Sequence, residues 1–259
     1  MINYVVANGC SWMEHHNNER DLAKHFALKY NICTEVNHNP NRHINLSIGG
    51  GSNDRILRTT TEWIMNNQDK VKETFILIGL TYMPRTEEFS ISRDTNPPVT
   101  KFIKMNDILI EEKFKSRHSF DNDYKRTIRT VINLVSILEY YGVGKYLIFD
   151  AVAKLKDSPM NEKLDIHNEE FTDTLIDWST EYPSLDSLFD NNPNVYLDKS
   201  FDEFCGGVNT VRKFSKWQWN SGIAYNDLDG MYERGDLGHP SAKAVKLWFE
   251  HLDKYMESN

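Results

Sequence analysis

The stretch TFILIGL, residues 74–80, decides the fold. Apolar side chains fall on both parities of the run, so a strand here presents a hydrophobic surface on each of its two faces. A strand of an antiparallel sheet with one wet face alternates apolar and polar residues. A near-continuous apolar run instead marks a parallel strand covered on both sides. Polar sequence brackets the run, NNQDKVKE before it and TYMPR after it, which keeps it to strand length.

Working outward, KYLIFDA (145–151) repeats this pattern, and INYVVA (2–7), HINLSI (43–48) and NVYL (194–197) are shorter strand candidates. Helical periodicity lies between them. Leu22, Phe26 and Tyr30 share one face of a helix predicted over about 19–30. Ile56, Leu57, Trp63 and Ile64 do the same over 54–67, and a further strong helix is expected over 123–141. The last helix starts at Pro240-Ser241 and repeats Ala244, Val245, Trp248, Phe249, Leu252 and Tyr255 at helical spacing. Strand and helix alternate, which predicts an α/β fold: a three-layer α/β/α sandwich with a mainly parallel sheet. Residues 81–120, polar and poorly periodic, and 152–193, charged with short helical patterns around Phe171–Trp178, are the two expected insertions in a single domain over 1–259.

Composition narrows the function. Hydrophobic residues make up 39% of the 259, enough for a sizeable core, and the formal net charge of −8 opposes a phosphate-binding surface, so no nucleic-acid partner is expected. No apolar run approaches the ~18 residues of a membrane-spanning helix, and MINYVVANGC does not read as a secretion signal. Cys10, Cys33 and Cys205 lack metal-ligand spacing and cannot all pair, which points to a reduced, cytoplasmic setting and no structural metal.

In open parallel sheets the site gathers at the C-terminal ends of the strands. That rule brings together the loops 8–13, 49–53 and 81–86. In the first, ANGCSW, Ser11 follows a strand and can expose its hydroxyl at the sheet edge. A serine hydroxyl becomes a nucleophile once a base takes its proton. Near the C-terminus, RGDLGHPS sets Asp236 three residues before His239 in a turn held by Gly235, Gly238 and Pro240. His239 is then the candidate base, and Asp236 the group that fixes its tautomer. In the second loop, SIGGGSND, Gly50 lets backbone N–H groups approach a reacting oxygen, with Gly51 and Asn53 beside it. The third loop, GLTYMPR, adds Thr81 and Arg85 as polar contacts.

These pieces resemble the SGNH (GDSL-like) hydrolases, whose motif blocks run in this order along a flavodoxin-like α/β/α sandwich. NGCS is similar to the first block, with Ser11 at the nucleophile position and Cys10 where the family usually has aspartate. NLSIGGGSN is similar to the second, whose oxyanion-hole glycine maps to Gly50, and GDLGHPS to the last, Asp-x-x-His, through Asp236 and His239. The third block, Gly-x-Asn-Asp, is absent: LIGLTYMPR stands in its place, and Thr81 or Asn53 are the substitutes for its missing amide donor. The form GCSW…GGGSN…DxxHPS looks like that of divergent, often phage-encoded members. The resemblance implies a serine esterase or acylhydrolase acting on a small-molecule or glycan ester without metal or organic cofactor.

The same residues have other uses. On the same fold the chain can be a non-catalytic binding or structural protein, a reading motivated by the missing third block. Glycines 49–51 can also cradle a phosphate or nucleotide at a helix N-terminus, although neither GxGxxG nor the Walker lysine is present. His15 and His16 lack carboxylate or cysteine partners for a metal. The aromatic-rich KWQWNSGIAY serves equally as a sugar-stacking wall or as core.

Overall fold

A computed structural model describes residues 1–13, 20–34, 39–81, 86–92, 99–105, 120–152, 192–205 and 239–259; for 86–92, 99–105, 120–124 and 202 it describes the backbone alone. The elements in chain order are β1 (Tyr4–Asn8), α1 (Leu22–Lys29), β2 (His43–Asn45), α2 (Asn53–Asn66), β3 (Thr74–Leu80), β4 (Thr86–Ser92), β5 (Val99–Met105), α3 (Phe120–Tyr140), β6 (Lys145–Asp150), β7 (Val195–Tyr196), α4 (Phe201–Phe204) and α5 (Ala242–Ser258).

Five strands form a parallel sheet in the order β2-β1-β3-β6-β7. β3 lies at its centre with every residue buried, as its two-sided apolar run requires. Registers such as Val6↔Ile76 and Ile76↔Tyr146 align the strands, and alternate side chains divide between two cores. Val5, Ala7, Phe75, Leu77, Leu147 and Phe149 enter the cluster with α1 and α5. Val6, Ile76, Ile78, Tyr146 and Ile148 enter the cluster with α2 and α3. The layers are therefore α1/α5, sheet, α2/α3. The expected α/β/α sandwich is what the chain forms.

Three of the helices start where a side chain satisfies an orphan N–H group. Asp21 caps α1 by accepting from the Lys24 N–H (3.2 Å), Ser52 caps α2 at Arg55 N (3.2 Å), and Ser241 caps α5 at Ala244 N (3.2 Å). Helical spacing then aims Leu22, Ala23, Phe26 and Ala27 of α1, and Ala244, Val245, Trp248 and Leu252 of α5, at the first core. Ile56, Thr60 and Ile64 of α2 face the second.

Turns at the N-terminal edge of the sheet are short and bonded to one another. Gly144 N–H donates to the Val71 carbonyl (3.0 Å), and Asn3 N–H to that of Glu73 (2.7 Å). The opposite edge carries the long connections. The one after β3 departs from the sequence reading: within 81–120, β4 and β5 pair as an antiparallel hairpin with Phe89 opposite Phe102, and β4 packs beside α2. β2 ends at Asn45 rather than near 48, because the Asn45 side-chain oxygen accepts from Ser47 N–H (2.9 Å) and turns the chain out of the sheet. Most of the expected insertion 152–193, including Phe171–Trp178, and the KWQWNSGIAY stretch lie outside the described residues.

Candidate functional site

β1 and β3 are neighbours, yet the chain leaves β1 through α1 on one face and reaches α2 and α3 on the other. This change of face is the topological switch point, where open parallel sheets bind ligands. The loop after β1 sits there. Asn8 ends the strand fully buried, and its amide donates to Ile56 O (3.1 Å), Thr59 Oγ1 (2.8 Å) and Thr60 Oγ1 (2.9 Å) of α2. Its oxygen accepts from Gly9 N–H (3.0 Å). The next residues form a turn closed by Met13 N–H to the Cys10 carbonyl (2.9 Å). Across residues 8–13, Ser11 alone is not buried. The turn thus seats its flanks in protein and leaves Ser11 partly exposed.

The second loop is bonded to the first. Leu46 N–H donates to Ala7 O (2.8 Å), Ile48 N–H to Gly9 O (3.3 Å), and the Asn45 amide to Met13 O (2.8 Å). A tight turn follows, closed by Gly51 N–H to Ile48 O (2.9 Å). Gly50 occupies its third position at φ 70°, the left-handed backbone that a type II turn requires there and that a side chain would strain. No hydrogen bond among the described residues uses the Gly50 N–H.

Asn53 and Thr81 meet, and they do so through the main chain of Thr81. The buried Asn53 carboxamide accepts from Thr81 N–H (2.9 Å) and donates to Thr81 O (3.1 Å), tying the start of α2 to the end of β3. Asp150, not singled out from the sequence, is a fully buried carboxylate in register with Leu80 at the same edge. The signal for both Asn8 and Asp150 was a polar residue terminating an otherwise apolar strand run.

His239 is partly exposed and precedes Pro240-Ser241 at the start of α5. The direction of α5 follows from its contacts. Lys29, the last residue of α1, pairs with Asp253 and Glu257 near the end of α5, which puts that end beside the N-terminal edge of the sheet, while Trp248 packs on Phe149 near the end of β6 (5.7 Å between rings). The helix therefore runs antiparallel to the strands, and its first residues lie at the C-terminal edge that bears Ser11. An aromatic series joins the two segments. Trp12 meets Phe201 edge-on (5.2 Å), and Phe201 stacks on Trp248 (5.1 Å, 4° between planes). Asp236 and Arg85, and likewise His15 and His16, lie outside the described residues. Among the described residues no cluster of histidine, cysteine and carboxylates has metal-site geometry, and the three cysteines are buried and form no disulfide.

Electrostatic perturbation concentrates farther along α5. Tyr196 Oη lies 2.7 Å from His251 Nε2. Burial pushes the Tyr196 phenol up to about 12, with the charges of Asp198, Tyr255 and Glu203 adding to it. Burial lowers the His251 imidazole, helped by the Lys199 and Lys254 charges. Both shifts favour neutral forms, so the phenol O–H donates and the imidazole nitrogen accepts.

The sheet order and the loops at its C-terminal edge define a doubly wound parallel α/β protein with its candidate site at the switch point. No protein-family profile matches the chain, and no curated protein matches it. Among solved structures it is similar to a provisionally named acylhydrolase from Bacteroides fragilis, at 13% identity over 99% of this chain and 87% of that one, with a TM-score of 0.46. That likeness carries no weight for the chemistry. No helix among the described residues is long and apolar enough to cross a membrane.

Proposed function

We propose that the protein is a serine esterase or acylhydrolase of SGNH type, with Ser11 as nucleophile. The observation that carries this reading is the turn after β1, which buries everything from Asn8 to Met13 except Ser11 and stands at the switch point. Ser11 Oγ attacks an ester carbonyl as His239 takes its proton. Asp236 holds the imidazole in the tautomer that can accept it. The oxyanion forms against the N–H groups of Ser11 and Gly50, and His239 returns the proton to the leaving alcohol. Water, activated by the same imidazole, then releases the acyl group.

Asn53 is the third donor in this reading. The resemblance expects an asparagine amide at the end of β3, and Asn53 delivers a carboxamide to that place from α2. One of its N–H bonds goes to Thr81 O, and the other has no hydrogen-bond partner among the described residues. The substrate is a small-molecule or glycan ester.

The test is covalent labelling with a fluorophosphonate, combined with hydrolysis of short activated esters. Label on Ser11, lost together with hydrolysis in Ser11→Ala and in His239→Ala, is the expected result. Undiminished hydrolysis by Ser11→Ala would assign the chemistry to another residue and end this reading.

A further inference from the structure

We propose that Met13 is a positioning residue for Ser11, its side chain keyed into a notch that two glycines leave open in the sheet edge; the catalytic part of this proposal rests on Ser11 being the nucleophile. Gly9 directly follows β1, and Gly79 lies on the adjacent β3. A Cβ on Gly9 would stand 2.4 Å from Met13 Cγ and 2.8 Å from Met13 Cβ; one on Gly79 would stand 2.7 Å from Cγ and 3.0 Å from Sδ. Real atoms do not approach so closely. The Met13 side chain therefore occupies the volume that any other residue at either position would fill. It is 2% exposed, so it is held on all sides.

The consequence falls on the turn. Ser11 is the second residue of a turn whose fourth residue is Met13, closed by Met13 N–H to Cys10 O at 2.9 Å. The Ser11 main chain is part of that turn. Its position is inherited from the turn's ends. One end is fixed by Asn8, which is bonded to α2. The other is fixed by Met13, through its side chain in the notch and its carbonyl on the Asn45 amide (2.8 Å). An unbranched, flexible thioether suits a slot of irregular shape between two main chains. The same key sets the Ser11 N–H relative to the second loop, since Asn45 ends the strand that leads into that loop.

The experiment uses the full chain and the variants Met13→Leu, Met13→Ala, Gly79→Ala and the Gly79→Ala/Met13→Ala pair. Two readouts are taken: ester kinetics, and hydrogen exchange of peptides covering 8–13 and 74–80. Met13→Leu keeps the volume and should match the parent in both. Met13→Ala should speed exchange in 8–13, leave 74–80 protected, and lower kcat about 10²-fold with KM little changed, since small misplacements of a reacting group cost on that order. Gly79→Ala, which drives a methyl into Met13 Cγ, should do the same. The pair should be no worse than Met13→Ala alone, because the truncated side chain leaves room for the added methyl. If Met13→Ala does not fold, Gly79→Ala beside Met13→Leu carries the comparison. Unchanged exchange in 8–13 for both single variants, or fully additive losses in the pair, would overturn the proposal. The exchange readout is independent of the reaction: a parent protein whose Ser11→Ala variant still hydrolyses esters refutes the nucleophile, while exchange in 8–13 still decides whether Met13 fixes the turn.

Discussion

Replacing Asn53 with alanine removes both of its hydrogen bonds to Thr81, at 2.9 and 3.1 Å, from a site where both residues are buried. Each bond contributes a net ~0.5–1.5 kcal/mol, and a buried group stranded without a partner costs about 1–3 kcal/mol. Alanine strands the Thr81 N–H and carbonyl together, so the loss is about 2–4 kcal/mol. Better helix propensity of alanine at the start of α2 returns at most ~0.7 kcal/mol. At roughly 2–4 °C per kcal/mol for a chain of this order of size, thermal unfolding followed by circular dichroism should fall by about 3–16 °C. Asn53→Asp separates the clamp from catalysis. It keeps the acceptor for Thr81 N–H and adds a charge that the helix N-terminus favours, so its melting temperature should lie between the other two. It has no N–H to offer an oxyanion, and its turnover should fall by ~10²-fold or more. An Asn53→Ala protein that melts with the parent would refute the clamp. Undiminished turnover in Asn53→Asp would remove Asn53 from the oxyanion hole.

Two further outcomes follow from packing and titration. His251 has a folded-state pKa below its ordinary 6.5, so the unfolded chain takes up that proton first; the contribution of this site is complete above pH 6.5 and is lost as pH falls below it. Tyr196 works at the other end, its contribution fading as pH rises from 10 toward 12. Denaturant midpoints across pH should show both slopes flattened in Tyr196→Phe/His251→Leu, and parent-like slopes in that variant would contradict the assignment. Trp248 is fully buried and packs on Phe149, Tyr196, Phe201 and Phe204, so Trp248→Ala should cost about 3–5 kcal/mol by urea titration; a loss under ~1 kcal/mol would mean that the aromatic series collapses to fill the space.

The sequence is most legible where burial is two-sided. TFILIGL maps onto β3 from Thr74 to Leu80 because a strand covered on both faces leaves a run that few other structures tolerate. The start of α5 was equally plain, since Pro240-Ser241 precedes a periodic apolar face. The β4–β5 hairpin was not legible. In VTKFIKM, Val99, Ile103 and Met105 share one parity, but Lys101 interrupts that face and Phe102 falls on the other, which blunts the alternation, and its pairing to TEEFSIS exists only across the hairpin. At the site, Ser11 and Gly50 could be placed from chain order and strand ends. The Asn53–Thr81 clamp and the Met13 notch could not, because each joins residues far apart in sequence whose only common feature is where the fold puts them.

The asymmetry between the two edges of the sheet has a consequence for how such a chain can change over time. At the N-terminal edge, Gly144, Val71, Asn3 and Glu73 are stitched together, and an added residue there would slip a strand and turn its core side chains to the wrong face. At the other edge the connections already absorb a whole hairpin without disturbing the register of β3 against β6. Length variation can therefore accumulate at one pole, above Ser11, while the opposite pole keeps the sheet in frame. Selection on what the protein binds and selection on whether it folds act on opposite ends of the same strands.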